Sequence, residues 1–164
     1  MIIRKLTSSD KNKLDLLIKS IESTLDNKLW WLPISNKSFD NFFNDDWTYF
    51  LGLFEGDELV GASALFFNEN EYGETIEHLK MVNKDIAEIG RCMVLKKYRG
   101  KNYMLELNQK LLKIASEHNI KKVIATAHPN NISSQCSLLS LGMSKVGSIT
   151  KYPNFDRDIF LIEI

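Results

Sequence analysis

A chain of 164 residues can bury a core without disulfides or a structural metal, and it fits one domain covering residues 1–164. Hydrophobic residues make up 44% and charged residues 26%, with 21 lysines and arginines balanced by 21 acidic residues, so the basic excess of a dedicated nucleic-acid binder is missing. No apolar run approaches the roughly 20 residues that span a bilayer, and MIIRKLTSSD has no apolar signal core. The expectation is a cytoplasmic protein with no membrane and no nucleic-acid partner.

Ile2 to Leu6 alternates apolar and basic residues and predicts a short strand. Thr7, Ser8, Ser9 and Asp10 then offer N-caps to a helix whose apolar stripe is Leu14, Leu17, Ile18, Ile21 and Leu25. Between Asn27 and Trp47 six aromatics, Trp30, Trp31, Phe39, Phe42, Phe43 and Trp47, crowd around Pro33. A helix is expected over Lys37 to Phe43, and the aromatics serve either as core or as the wall of a substrate cleft. Thr48–Glu55 and Glu58–Phe67 read as strands joined by Gly56 and Asp57, a connection suited to a tight hairpin.

Asn68 to Asp85 is polar and acidic, with Ile76 and Leu79 at helical spacing, which predicts a short helix over Glu74 to Asn83. The strand Ile86 to Val94 follows, apolar except for Glu88 and Arg91. Simple alternation places Glu88, Gly90, Cys92 and Val94 on one face of it. Next comes a turn with Lys96, Lys97, Arg99 and Lys101 around Gly100. It precedes a helix with Met104, Leu107, Leu111, Ile114 and Ala115 on its apolar face and Asn108, Lys110, Lys113 and Glu117 elsewhere. Cations before a helix N-terminus suit a phosphate, although basic turns are also commonly just solvated.

Ile120 to Ala127 predicts a strand, making a strand, helix, strand unit long enough for a parallel crossover. Asn131 to Leu141 reads as a helix closed by Gly142, and Met143–Thr150 and Asp158–Ile164 as two final strands around Pro153 and Asn154. The fold class is therefore mixed α/β, a central sheet of six to seven strands flanked by about four helices. Cys92 and Cys136 have no CxxC partner, and His78, His118 and His128 lack ligand spacing, so no metal is expected.

Three stretches, VLKKYRGKNYM (Val94 to Met104), NISSQCSLLSLGM (Asn131 to Met143) and AEIGRCMV (Ala87 to Val94), together resemble the GNAT family of acetyl-CoA dependent N-acetyltransferases, and the likeness covers nearly the whole chain. VLKKYRGKNYM, Val94 to Met104, is similar to the family's pyrophosphate loop, Arg or Gln, two residues, Gly, one residue, then Gly or Ala. Arg99 takes the first position, while Asn102 and Met104 stand where small residues are usual. Asparagine tolerates the left-handed conformation that glycine supplies there. NISSQCSLLSLGM, Asn131 to Met143, resembles the next helix of the family, with Asn131 and Gly142 at the family spacing and Leu138 where a tyrosine general acid often stands. AEIGRCMV, Ala87 to Val94, is similar to the strand on which the histone acetyltransferase branch carries its basic glutamate at the position of Glu88.

The resemblance implies acetyl-CoA as acyl-donor substrate, bound by the backbone of Cys92, Met93 and Val94, by Arg99, Gly100, Lys101, Asn102, Tyr103 and Met104, and by Asn131. It implies Glu88 as the base that deprotonates an amine acceptor, small molecule or peptide, with Ser137 or Tyr152 standing in for the missing acid. Independently of family, a carboxylate in a partly apolar cleft can be tuned to take a proton from an ammonium. Pairing of Glu88 with Arg91 or a neighbouring lysine is the structural alternative. Leu138 and the non-glycine loop leave open a catalytically silent acyl-CoA-binding or protein-interaction domain, and homodimerisation is also open.

Overall fold

The computed structural model describes residues 1–151 and 153–164. Among them seven strands form one sheet: β1 (Ile2–Lys5), β2 (Thr48–Glu55), β3 (Glu58–Phe66), β4 (Ile86–Val94), β5 (Lys122–Ala127), β6 (Ser144–Lys151) and β7 (Phe155–Glu163). Their order is β1-β2-β3-β4-β5-β7-β6, antiparallel at every junction except β4 with β5. The crossover between that parallel pair is α4 (Tyr103–Glu117), because strands running the same way cannot be joined by a tight turn.

The helices sort to the two faces by their apolar stripes. On one face α4 and α5 (Ile132–Ser140) cover Leu51, Leu53, Leu65, Ala87, Ile89, Val123 and Phe160, with Leu107, Leu111, Ala115 and Leu138 as the helical contribution. On the other, α1 (Lys11–Ser23), α2 (Asn36–Asn41) and α3 (Glu69–His78) lie over Phe50, Phe54, Ala62, Phe66, Ile86, Met93 and Ile124. The expected α1 stripe holds through Ile21, the four residues from Leu14 being buried. Gly56, at φ +56°, sits in the two-residue turn between β2 and β3.

The described residues hold five α-helices, in keeping with the expected sheet flanked by about four, while several element bounds differ. The third begins at Glu69, not Glu74: the Asn68 side chain accepts from Asn70 N at 2.9 Å and caps an earlier start, and the Tyr72 hydroxyl anchors that turn on Phe67 O and Ile86 O at 2.9 and 3.0 Å. β5 starts two residues late because Lys121 N bonds Asp85 O outside the ladder. β7 starts at Phe155, since its pairing with β6 continues to Lys151 opposite Phe155. Asn108, assigned to the polar side of α4, is 1% exposed. It lies four residues after Met104 and three before Leu111, which is the spacing of the sheet-facing stripe.

The aromatic segment divides its roles. Phe42 meets Phe39 and Phe50 edge to face with centroids 6.0 and 5.2 Å apart and belongs to the core, whereas Trp30 and Trp31 face a cleft.

Candidate active site

The site begins with one extra residue in β4. Ala62 pairs with Met93 and Ala64 with Gly90, so two steps on β3 span three on β4, and Arg91 adopts φ +51°. The bulge resets the alternation. Glu88 and Gly90 share a face with Ala64 and Phe66, while Cys92 and Val94 turn to the opposite face with Ala87 and Ile89. Simple alternation, which put Glu88 and Cys92 together, fails for this reason.

Beyond the bulge β4 and β5 part. Their parallel pairing runs only from Ile86 opposite Lys122 to Ile89 opposite Ala125, although β4 continues to Val94 and β5 to Ala127. The β5-facing edge of β4 after Ile89 is therefore not paired with β5. A cleft of about 530 Å³ occupies the gap, lined by Asn108, Ser137 and Leu138 from the α4 and α5 side and by Ile21, Trp31, Phe66 and Glu71 from the other. The opening passes through the sheet.

At the α4 end, Gly100 and Asn102 take φ +75° and +61°, and no side chain caps α4 through Asn102. First-turn N–H groups are thus left for an anion. Arg99 Nε donates to Val94 O at 2.9 Å and folds the loop back onto the strand end. Inside the cleft, Asn108 Oδ1 accepts from Ser63 Oγ at 2.7 Å while its Nδ2 is buried with no partner among the described residues. Cys92 Sγ lies 3.2 Å from Ser63 Oγ, and burial pushes its thiol up, against the hydrogen bonds of Ser63 and Asn108, which makes it a poor nucleophile.

The opposite end holds charge away from water. Glu88 is 7% exposed, and burial pushes its carboxyl up to about 7, with Glu71 adding to the rise and Lys151 and Arg91 opposing it. Burial likewise raises Glu71 against the pull of Arg91 and Lys151. Arg91 Nη1 donates to Leu32 O at 2.6 Å and its guanidinium lies 5.1 Å from the Trp31 ring centre, tying the aromatic loop to the bulge. Two separated strands, a helix start prepared for an anion and a carboxyl that titrates near neutrality form one continuous passage.

The sequence model of the Acetyltransferase (GNAT) family matches residues 18–142. The chain belongs to the GNAT acetyltransferase family. Solved GNAT structures share the fold along its length. A probable acetyltransferase from Staphylococcus epidermidis ATCC 12228 has a TM-score of 0.77 at 20% identity, covering 99% of this chain and 98% of that one. A ribosomal-protein-alanine N-acetyltransferase from Brucella melitensis gives 0.75 at 19%, with 100% of each chain covered. NAA60 of Arabidopsis thaliana, in complex with acetyl-CoA, gives 0.77 at 16%, covering 99% and 98%. A comparison with curated protein sequences returns no match. Family and fold together support acyl transfer.

In this GNAT chain the expected site residues largely converge. Glu88, Cys92, Met93, Val94, Arg99, Gly100, Asn102, Tyr103, Met104, Asn131 and Ser137 all line the cleft, whereas Lys101 is exposed and does not. Asn131 Oδ1 accepts from Ser134 N at 3.2 Å and caps α5. Met104 is partly buried against the core, leaving its backbone at the helix start. Leu138 is core, and Tyr152 lies outside the described residues. No group of acidic, histidine or cysteine side chains suited to a metal occurs among the described residues, and no helix there is long and apolar enough to cross a membrane.

Sequence reasoning missed Asn108, Lys151 and Arg157. A polar residue on the apolar spacing of α4 is a usable signal for Asn108. Nothing in a hairpin of alternating polar residues singles out Lys151 and Arg157.

Proposed function

We propose that residues 1–164 act as one N-acetyltransferase domain that moves an acetyl group from acetyl-CoA to a primary amine by direct transfer in a ternary complex. The observation that carries this reading is the passage through the sheet, which lets donor and acceptor approach the same gap from opposite faces. Acetyl-CoA enters on the α4 and α5 side. Its pyrophosphate meets the helix start at Gly100 to Met104 with Arg99 beside it, and its pantetheine arm pairs with the free edge of β4 as an added strand. The chain's residues fit this group: β4 is not paired with β5 beyond Ile89, and Asn108 Nδ2, without a partner among the described residues, offers a buried donor.

Glu88, on the other face, takes the proton from the acceptor ammonium directly or through water. The freed amine attacks the thioester carbon, the carbon–sulfur bond breaks, and backbone N–H near Met93 stabilises the oxyanion. Ser137, lining the cleft beside Leu138, or water returns a proton to the departing thiolate. Holding amine and thioester together supplies much of the rate gain. A carboxyl tuned to about 7 favours this over a silent acyl-CoA-binding domain, which has no use for it.

The Brucella melitensis relative is named for acetylating a ribosomal-protein alanine, which supports a peptide or protein amine among the acceptors. The test is release of free thiol from acetyl-CoA across a panel of amines, with thermal melting reporting acetyl-CoA binding. Binding without turnover across the panel would favour the silent domain; absence of any melting shift at millimolar acetyl-CoA would remove both readings.

A further inference from the structure

The acceptor end of the cleft carries more positive charge than deprotonating an amine requires. Arg91, Lys151 and Arg157 all line it. Arg91 has a structural task in holding Leu32 O and Trp31. Lys151 and Arg157, on the β6–β7 hairpin, are 5% and 3% exposed, and neither forms an ion pair among the described residues. Arg157 Nη1 donates to Asp156 O at 2.7 Å, one of several N–H donors on a group that stays ionised. Burial and then the charge of Arg91 pull its pKa down, with Asp156 opposing. Lys151 acts on Glu88 and Glu71 and Arg157 on Asp156 through space, but no carboxylate among the described residues contacts either cation, so their remaining N–H donors, buried beside a cleft, suit an anionic ligand group.

The surroundings add a second unmatched donor. Trp30 Nε1 is buried with no acceptor among the described residues, and the short 3₁₀ turn Lys28–Trp30 that bears it packs on β7. Register sets these groups on the face that carries Glu88. Glu88 pairs with Ile124 and Ile124 with Leu161, and alternation along β7 brings Ile159 and Arg157 to the same side. Arg157 lies opposite Ile149, so Lys151, two residues on, shares that side too. Asp26, the remaining acid lining the cleft, is exposed, where water screens it.

Resting on the N-acetyltransferase reading above, we infer that the acceptor is a primary amine that also bears a carboxylate, its ammonium at Glu88 and Glu71 and its carboxylate at Arg157, Lys151 and the Trp30 N–H. The guanidinium fork matches a carboxylate in shape and charge, and removal from water strengthens the pairing. Two acids and three cations line the same end of the cleft, which suits a molecule that carries both charges. A plain alkylamine would leave Arg157 and Trp30 unmatched. A free amino acid has this chemistry, and so does a peptide with an acidic residue at its N-terminus.

Thiol release from acetyl-CoA distinguishes them in matched pairs: free amino acids against their carboxamides, and short peptides beginning with Asp or Glu against those beginning with Asn or Gln. Converting carboxylate to carboxamide is expected to lower kcat/KM about 10- to 100-fold in one series, and that series identifies the source. Arg157→Lys keeps part of the preference and Arg157→Gln abolishes it. A merely structural arginine would lose stability on replacement, whereas Arg157→Gln is expected to leave the melting temperature unchanged or higher; a clear fall overturns the inference. Equal use of carboxylate and carboxamide also overturns it while leaving amine acetylation intact. If no amine in either series releases thiol although acetyl-CoA raises the melting temperature, the inference and the function beneath it both fall.

Discussion

The two ends of the cleft hold charge in opposite ways. At the donor end Arg99, Gly100 and Asn102 are exposed, and the means of holding an anion are backbone N–H groups and a solvated guanidinium. At the acceptor end Glu88, Lys151 and Arg157 are buried. Solvated groups cost the fold little and bind a multiply charged phosphate through number and geometry. Buried groups are expensive: moving Glu88 from 4.5 to about 7 corresponds to roughly 3 kcal/mol against its ionised form. The contrast supports Glu88 as the proposed base, because a carboxyl exchanges protons at neutral pH when its environment disfavours charge.

The largest expected effect on activity comes from removing that group. Glu88→Gln should lower kcat/KM by about 10²- to 10⁴-fold and erase the rise in rate as pH passes about 7. An unchanged pH profile in this variant would assign the base elsewhere. Stability moves the other way. The folded pKa is raised, so between 4.5 and about 7 the folded chain binds more protons than the unfolded one, and stability falls as pH rises through that window. Glu88→Gln should therefore raise the melting temperature at about pH 8 and change it little below pH 4.5.

At the donor end the effects should be smaller and should fall on binding. Arg99→Ala is expected to weaken acetyl-CoA binding about tenfold, more at low salt, without altering the choice of acceptor. Titration calorimetry at two ionic strengths measures this, and an altered acceptor choice would join the two ends functionally. Smaller still is Asn102→Val, which places a branched residue at φ +61° and should cost about 1–2 kcal/mol of stability with a severalfold rise in the KM for acetyl-CoA. Asn102→Gly should leave both nearly unchanged.

A contact remote from both ends provides the zero of the scale. Asp10 accepts two hydrogen bonds of 2.8 Å from Arg4, and these, helped by Thr7 and opposed by burial, lower its carboxyl from 3.8 to about 2. That stability is fully present above pH 3.8 and lost as pH falls toward 2. Asp10→Asn should lower the neutral-pH melting temperature and leave kcat unchanged.

Much of this was legible in the chain. The hairpin at Gly56 and Asp57, the stripe of α1, the helix stop at Gly142 and the crossover around α4 follow from periodicity and turn chemistry acting over a few residues. The left-handed turn at Asn102 was implied by the resemblance of the loop to the family's glycine pattern. Glu88 was identified as the base candidate, but its face relative to Cys92 was not. One bulged residue at Arg91 reverses every side chain after it, and a bulge has no fixed sequence signature when the extra residue is not glycine.

The sequence by itself determined the order of the elements, the anion-ready start of α4 and the residue types available for chemistry, because each depends on near neighbours. Only the tertiary structure decided where β4 and β5 separate, which face Glu88 occupies and how far water is kept from it. It also brought Arg157 and Lys151 from the last hairpin to Trp30 near the first helix. Desolvation and unmatched charge are properties of a surrounding assembled from distant parts of the chain, so no local pattern carries them.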